Sequence, residues 1–223
     1  MKALIYKEFK LAMHPICYLF VFAFPLMILI PSYPLGIGFI YILSCYPILF
    51  LGANKGQQSN DLLFSTLLPV RKKDIVMARI ITVAVLQFTY ILMLCALLPL
   101  SFIIHKSIPG EEIPGLGLDA FVSVLAIAIV GYSIADLIFF PIYYKHGKSI
   151  VMSTLLTRLG FMLYLGIFTI GFPYIPGMEW YKATLSGDLW IQFIVLGVSL
   201  LFYVGIHFIV YKVSSKRLEK VDF

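Results

Sequence analysis

Charge is what this chain has least of. Only 13% of its 223 residues are Asp, Glu, Lys or Arg, whereas 61% are hydrophobic. A soluble domain carries ~25% charge, so there is too little polar surface here to cover a water-soluble globule. Cysteine is scarce as well. Cys17, Cys45 and Cys95 all lie in apolar runs, with no CxxC and no Cys/His cluster. They read as buried small hydrophobes and exclude a disulfide frame or a metal site. HExxH and GxSxG are both missing, which removes the zinc-protease and serine-hydrolase signatures. Gly147-Lys148-Ser149 imitates the end of a phosphate-binding loop. The glycine required five residues before Gly147 is Ile142, and an apolar run precedes it where a soluble strand is needed. The chain therefore has no nucleotide site of its own, and no metal or cofactor is expected on it.

What is present is a set of apolar stretches: about 15–31, 36–53, 80–104, 119–142, 149–172 and 189–211. At ~20 apolar residues per membrane span, six spans leave no room for a catalytic domain of ordinary size. The fold class expected is an all-α membrane protein with six transmembrane helices forming a single domain over residues 1–223. The first two stretches carry Pro15, Pro25, Pro31 and Pro47, so kinks or interruptions are expected there. The first is not read as a cleavable signal, because it lacks a small-residue cleavage site. The pair Glu111-Glu112 suggests a membrane protease, but Leu116 stands where an arginine would be needed.

With six spans both ends lie on one side. That side holds fourteen Lys and Arg, including Lys2, Lys7, Lys10, Arg71, Lys72, Lys73 and Arg79, against Lys106 and Lys182 on the other. The excess places both termini in the cytoplasm. In residues 1–13, Ile5, Phe9, Ala12 and Met13 share a helical face from which Lys7 and Lys10 point away. Either this is an interfacial helix with its lysines toward lipid phosphates, or it is a disordered basic leader.

The longest cytoplasmic connection is 54–79. Ser59 or Asn60 can cap a short helix that Pro69 ends, and Asp74 can cap the helix leading into span three. A short apolar helix bracketed by charge needs cover, from lipid headgroups or from a groove on a partner protein. Asn60-Asp61-Leu62-Leu63-Phe64-Ser65-Thr66-Leu67-Leu68-Pro69-Val70-Arg71, followed by Asp74 to Arg79, closely resembles the signature of small ABC-2-type permeases. One departure is the extra residue before Pro69, where many relatives have a tighter Ser-Leu-Pro.

The resemblance covers nearly the whole chain. It implies the permease subunit of an ATP-driven exporter in the bacterial cell membrane, paired with a second permease subunit and with two cytosolic ABC ATPase subunits that bind ATP and Mg. The inner loop would then carry a coupling helix, with Asp61, Leu62, Leu63, Phe64, Leu67, Arg71, Lys72 and Lys73 contacting the ATPase. Within the family the chain looks most like permeases of phenol-soluble modulin exporters, which expel amphipathic peptides. The competing reading is a non-transport membrane protein, an immunity or regulatory factor binding a peptide or partner, which needs no coupling helix.

Inside the spans, Asp136 and Arg158 are the conspicuous ionisable residues. An unpaired charge there costs at least ~2.5–3.5 kcal/mol. Counted from the short 143–148 loop their depths differ by only ~5 Å at 1.5 Å per residue, which predicts an Asp136–Arg158 pair or a shared cytoplasmic cavity. Gln87 falls at a comparable depth. These three either wall a translocation path or lock helices together. His14 and His207 are read as interfacial. Ser149, Ser153 and Thr157, like Gly131 and Ala135, permit close helix packing. The outer segment 172–188 is either a re-entrant gate or an interfacial loop anchored by Trp180 and Tyr181.

Overall fold

The computed structural model describes residues 2–13, 15–29, 65, 67, 69–106, 121–146, 150–167, 175–176 and 189–220, and every regular element among them is helical. The expected second span, most of the inner loop including Asp61, Leu62, Leu63 and Phe64, and most of both outer loops lie outside the described residues.

Helix α1 (Lys2–Lys7) runs into a π-turn, Glu8–Ala12. Met13 then turns extended, its N–H donating back to the Glu8 carbonyl at 3.0 Å. The axis of Lys2–Lys10 meets that of Pro15–Leu29 at 83°. Tyr18 Oη donates to the Phe9 carbonyl at 2.6 Å across this elbow. Lys7 departs from expectation. It is buried, and its ammonium donates to Ser65 Oγ and, at 3.3 Å, to Glu8 Oε1. Protein acceptors hold it where lipid phosphates were expected to. Lys10 is exposed, lying over the Tyr6 ring.

Helix α2 (Pro15–Ala23) tightens to a 3₁₀ segment at Phe24–Leu29. The change falls beside Pro25, which has no N–H to continue the α-helical ladder. Four longer helices follow: α3 (Lys72–Lys106), α4 (Phe121–His146), α5 (Ile150–Gly166) and α6 (Leu189–Glu219). At 1.5 Å per residue they measure ~52, ~39, ~25 and ~46 Å, against ~30 Å of hydrocarbon core. Three of them, α3, α4 and α6, are long and apolar enough to cross a membrane. Helix α3 starts eight residues before the expected span and α6 runs eight residues past its expected end. Hydropathy marks only the oily part of a helix, whereas Lys and Arg propagate it as well as Leu does. Asp74 consequently sits inside the first turn of α3, where its carboxylate complements the helix dipole.

Helix α4 is central. Of its apolar window 67% is buried, against 33% for α3 and 17% for α6. Helices α5 and α6 both pack on it, and α3 packs on α6 and on the 3₁₀ segment. Helix α5 buries a single stripe, Ile150, Ser153, Thr154, Thr157, Phe161 and Tyr164. Ser153 and Thr157 return their hydroxyls to backbone carbonyls of their own helix, so the stripe brings no unsatisfied hydroxyl from those positions into the contact. Outward, Leu155, Leu159 and Leu163 on α5 and Leu201, Val204 and Phe208 on α6 are exposed, a surface suited to lipid and unsuited to water. Cys17 is buried as expected, but Cys95 faces outward from α3.

Candidate functional site

Among the described residues, two polar clusters interrupt this apolar interior. The deeper one joins α3, α4 and α6. Asp136 is fully buried on α4, and Gln87 is buried on α3. Gln87 Nε2 donates to Asp136 Oδ2 at 3.1 Å, and Tyr203 Oη on α6 donates to Gln87 Oε1 at 2.6 Å. His207, one turn along α6, places Nε2 3.0 Å from Asp136 Oδ2. That approach has ion-pair distance without hydrogen-bond alignment. Its Nδ1 lies 2.8 Å from the Tyr203 carbonyl, and its ring stacks on that of Tyr203 with centroids 3.9 Å apart. Phe88 closes the cluster edge-on against Tyr203 at 5.2 Å.

One helical turn toward the C-terminus of α4, Phe139, Phe140, Tyr143 and Tyr144 form a buried aromatic block, Phe139 stacking on Tyr143 and Phe140 on Tyr144. Beyond it lies the second cluster. Arg79 of α3, 2% exposed, grips Glu8 with two bonds, Nε to Oε2 at 2.9 Å and Nη2 to Oε1 at 3.1 Å. Its Nη1 donates to Tyr143 Oη at 3.3 Å. Since Lys7 also donates to Glu8 and to Ser65, the elbow, the tail of the inner loop, α3 and α4 meet in one network. Arg217 of α6 donates Nη1 to the Pro141 carbonyl of α4.

The structure thus brings Gln87 and Asp136 together, as their equal depth suggested. Arg158 is exposed on α5, about a quarter turn from the centre of the buried stripe at 100° per residue. Of the loop residues, Leu67, Arg71 and Lys73 are exposed and Lys72 is half-buried. His207 corrects the interfacial expectation: its side chain is 12% exposed and it belongs to the deep cluster. Tyr203 and Glu8 were not anticipated, and Lys7 was expected to meet lipid phosphates rather than Glu8 and Ser65. The signal for Tyr203 and His207 was present, because with Gln192, Ser199 and Ser214 they form a polar stripe along an otherwise apolar helix.

The deep cluster makes a specific prediction. Gln87→Leu leaves Tyr203 Oη without its acceptor and Asp136 with one donor fewer. Hydrogen bonds between membrane helices average about 0.6 and reach about 1.7 kcal/mol, and an orphaned buried group costs ~1–3 kcal/mol. The melting temperature of the purified protein should fall accordingly. The effects of Gln87→Leu and Tyr203→Phe should be less than additive; strict additivity would break the link drawn here.

The family whose sequence model matches is described as ABC-2 family transporter protein, and the match runs over residues 3–216. No curated protein and no solved structure matches the chain. ABC-2 permeases are the membrane subunits of transporters, are not themselves catalytic, and imply ABC ATPase partners. The match takes in the elbow, α3 to α6 and both polar clusters, and on that basis the chain belongs to the ABC-2 transporter family.

Proposed function

We propose that the chain is the permease subunit of an ATP-driven exporter of amphipathic, cytolytic or antimicrobial-type peptides such as phenol-soluble modulins. Two permeases, identical or related, pair in the cell membrane with both ends of each chain in the cytoplasm. Two cytosolic ATPase subunits bind ATP and Mg and dock on a coupling helix around Asp61 to Leu67, with Arg71, Lys72 and Lys73 contacting the ATPase or inner-leaflet phosphates. ATP-driven closure of the ATPases favours one arrangement of the permeases over another.

The observation that supports this reading best is the Ser65–Lys7–Glu8–Arg79 network. It gives a pull on the inner loop a direct route into α1 and α3, and through Tyr143 into α4.

Purification from native membranes tests this. An ATPase subunit should accompany the wild type in stoichiometric amount and be lost on Leu63→Asp or Phe64→Asp, with peptide efflux lost too. An ATPase-free protein that keeps full activity and ignores both substitutions would establish the immunity or regulatory reading instead.

A further inference from the structure

The contacts around His207 determine a proton count. A carbonyl oxygen only accepts, so Nδ1, 2.8 Å from the Tyr203 carbonyl, must carry a hydrogen. A neutral imidazole has one N–H, which would leave Nε2 as a bare lone pair. That lone pair would stand 3.0 Å from Asp136 Oδ2, itself a lone-pair oxygen when ionised. Two acceptors at that distance repel, most strongly where the dielectric is low. A second proton on the pair relieves the conflict: on Nε2 it sets a cation beside the carboxylate, and on Oδ2 it leaves a neutral acid beside a neutral ring. In both forms the pair carries no net charge.

The bonds that reach Asp136 from Gln87 and Tyr203 do not supply that proton. Tyr203 directs its hydroxyl hydrogen at Gln87 Oε1, which orients the amide so that Nε2 donates to Asp136. Among the described residues, the titratable groups at the ring are Asp136 of α4 and Tyr203 of α6 itself, with Tyr132 of α4 near Tyr203, all buried. Arg158, from α5, is exposed.

We propose that Asp136 and His207 form a proton-binding site within the membrane, and that the joining of α3, α4 and α6 depends on the proton it holds. The site is independent of what the protein transports and of any ATPase. In the unfolded chain above about pH 7, histidine is neutral and aspartate ionised, so the pair holds no proton there but holds one when folded. Where the folded state binds one proton more, its stability falls as pH rises, by up to tenfold in the folding equilibrium per pH unit.

Thermal melting of the purified protein should therefore drop between about pH 7 and about pH 9 more steeply for the wild type than for His207→Gln. In that variant the glutamine donates an N–H and needs no extra proton. Histidines 14, 105 and 146 are common to both chains, so they cancel in the comparison. Tyr203→Phe keeps the backbone carbonyl and should keep the wild-type slope. Parallel curves for wild type and His207→Gln overturn the proposal, as does a slope flattened equally by Tyr203→Phe. A reading that requires no variant to fold is spectroscopic. At neutral pH the wild type should show either a doubly protonated imidazole by nitrogen NMR or a protonated carboxyl band in the infrared. A neutral ring beside an ionised carboxylate also overturns it.

Discussion

Arg79→Ala is expected to remove nearly all folded protein from the membrane. The guanidinium is 2% exposed, holds Glu8 with two bonds and reaches Tyr143 with a third. Removing it strands the Glu8 carboxylate, 6% exposed, beside only the Lys7 ammonium at 3.3 Å. Breaking one side of a buried ion pair costs ~3–5 kcal/mol, a large part of the 5–15 kcal/mol that holds an ordinary domain together. Arg79→Lys keeps the charge but loses the forked geometry and should fall between. Glu8→Gln with Arg79→Met removes both charges and should recover much of the loss, because the penalty comes from the orphaned charge more than from the missing bond. Membrane abundance, monodispersity on size exclusion and melting temperature report all three. Wild-type values for Arg79→Ala would mean that the network is an ornament of the elbow.

The second large effect is steric. A Cβ added at Gly131 would stand 2.8 Å from Phe161 Cε2 and 3.1 Å from Tyr164 Cε1. Neither ring has easy room to retreat. Phe161 is fully buried, and the Tyr164 hydroxyl donates to the Ile127 carbonyl at 2.8 Å. Overpacking of this kind costs ~1–3 kcal/mol for Gly131→Ala, and Gly131→Leu must push α4 and α5 apart. The other helical glycines serve as controls. A methyl at Gly160 meets only the flexible end of Ile138, and at Gly166, Gly197 and Gly205 it meets open space. Alanine at the last three should be neutral or stabilising, by ~0.4–1 kcal/mol. A ranking of melting temperatures in which Gly131 tolerates leucine as well as Gly205 does would refute the close contact.

Depth could be read from the sequence; azimuth could not. Counting residues from a loop places Gln87 and Asp136 at one level because every helix rises by the same amount, and the two do bond. The same count put Arg158 at that level, but which stripe of α5 is buried, Ile150 to Tyr164, emerges only after packing. His207 was misjudged for a related reason. Its distance from the apparent end of an apolar run looked short, but α6 continues to Glu219, so the ring lies well inside the helix. Glu8 and Arg79 are separated by 71 positions, and nothing local to either residue announces the other. The second span and the Asp61–Phe64 stretch lie outside the described residues.

That separation has a consequence for synthesis. Ribosomes add ~5–20 residues per second, so Glu8 waits roughly 4–14 s before Arg79 has been made. During that interval the elbow has no partner to close on, and the carboxylate stays hydrated at the membrane surface. Closure of Glu8 on Arg79 is then a timed event in biogenesis, reporting that the inner loop has been made and the start of α3 has arrived. A chain truncated before residue 79 never passes that point, and quality-control proteases would meet it with its elbow open.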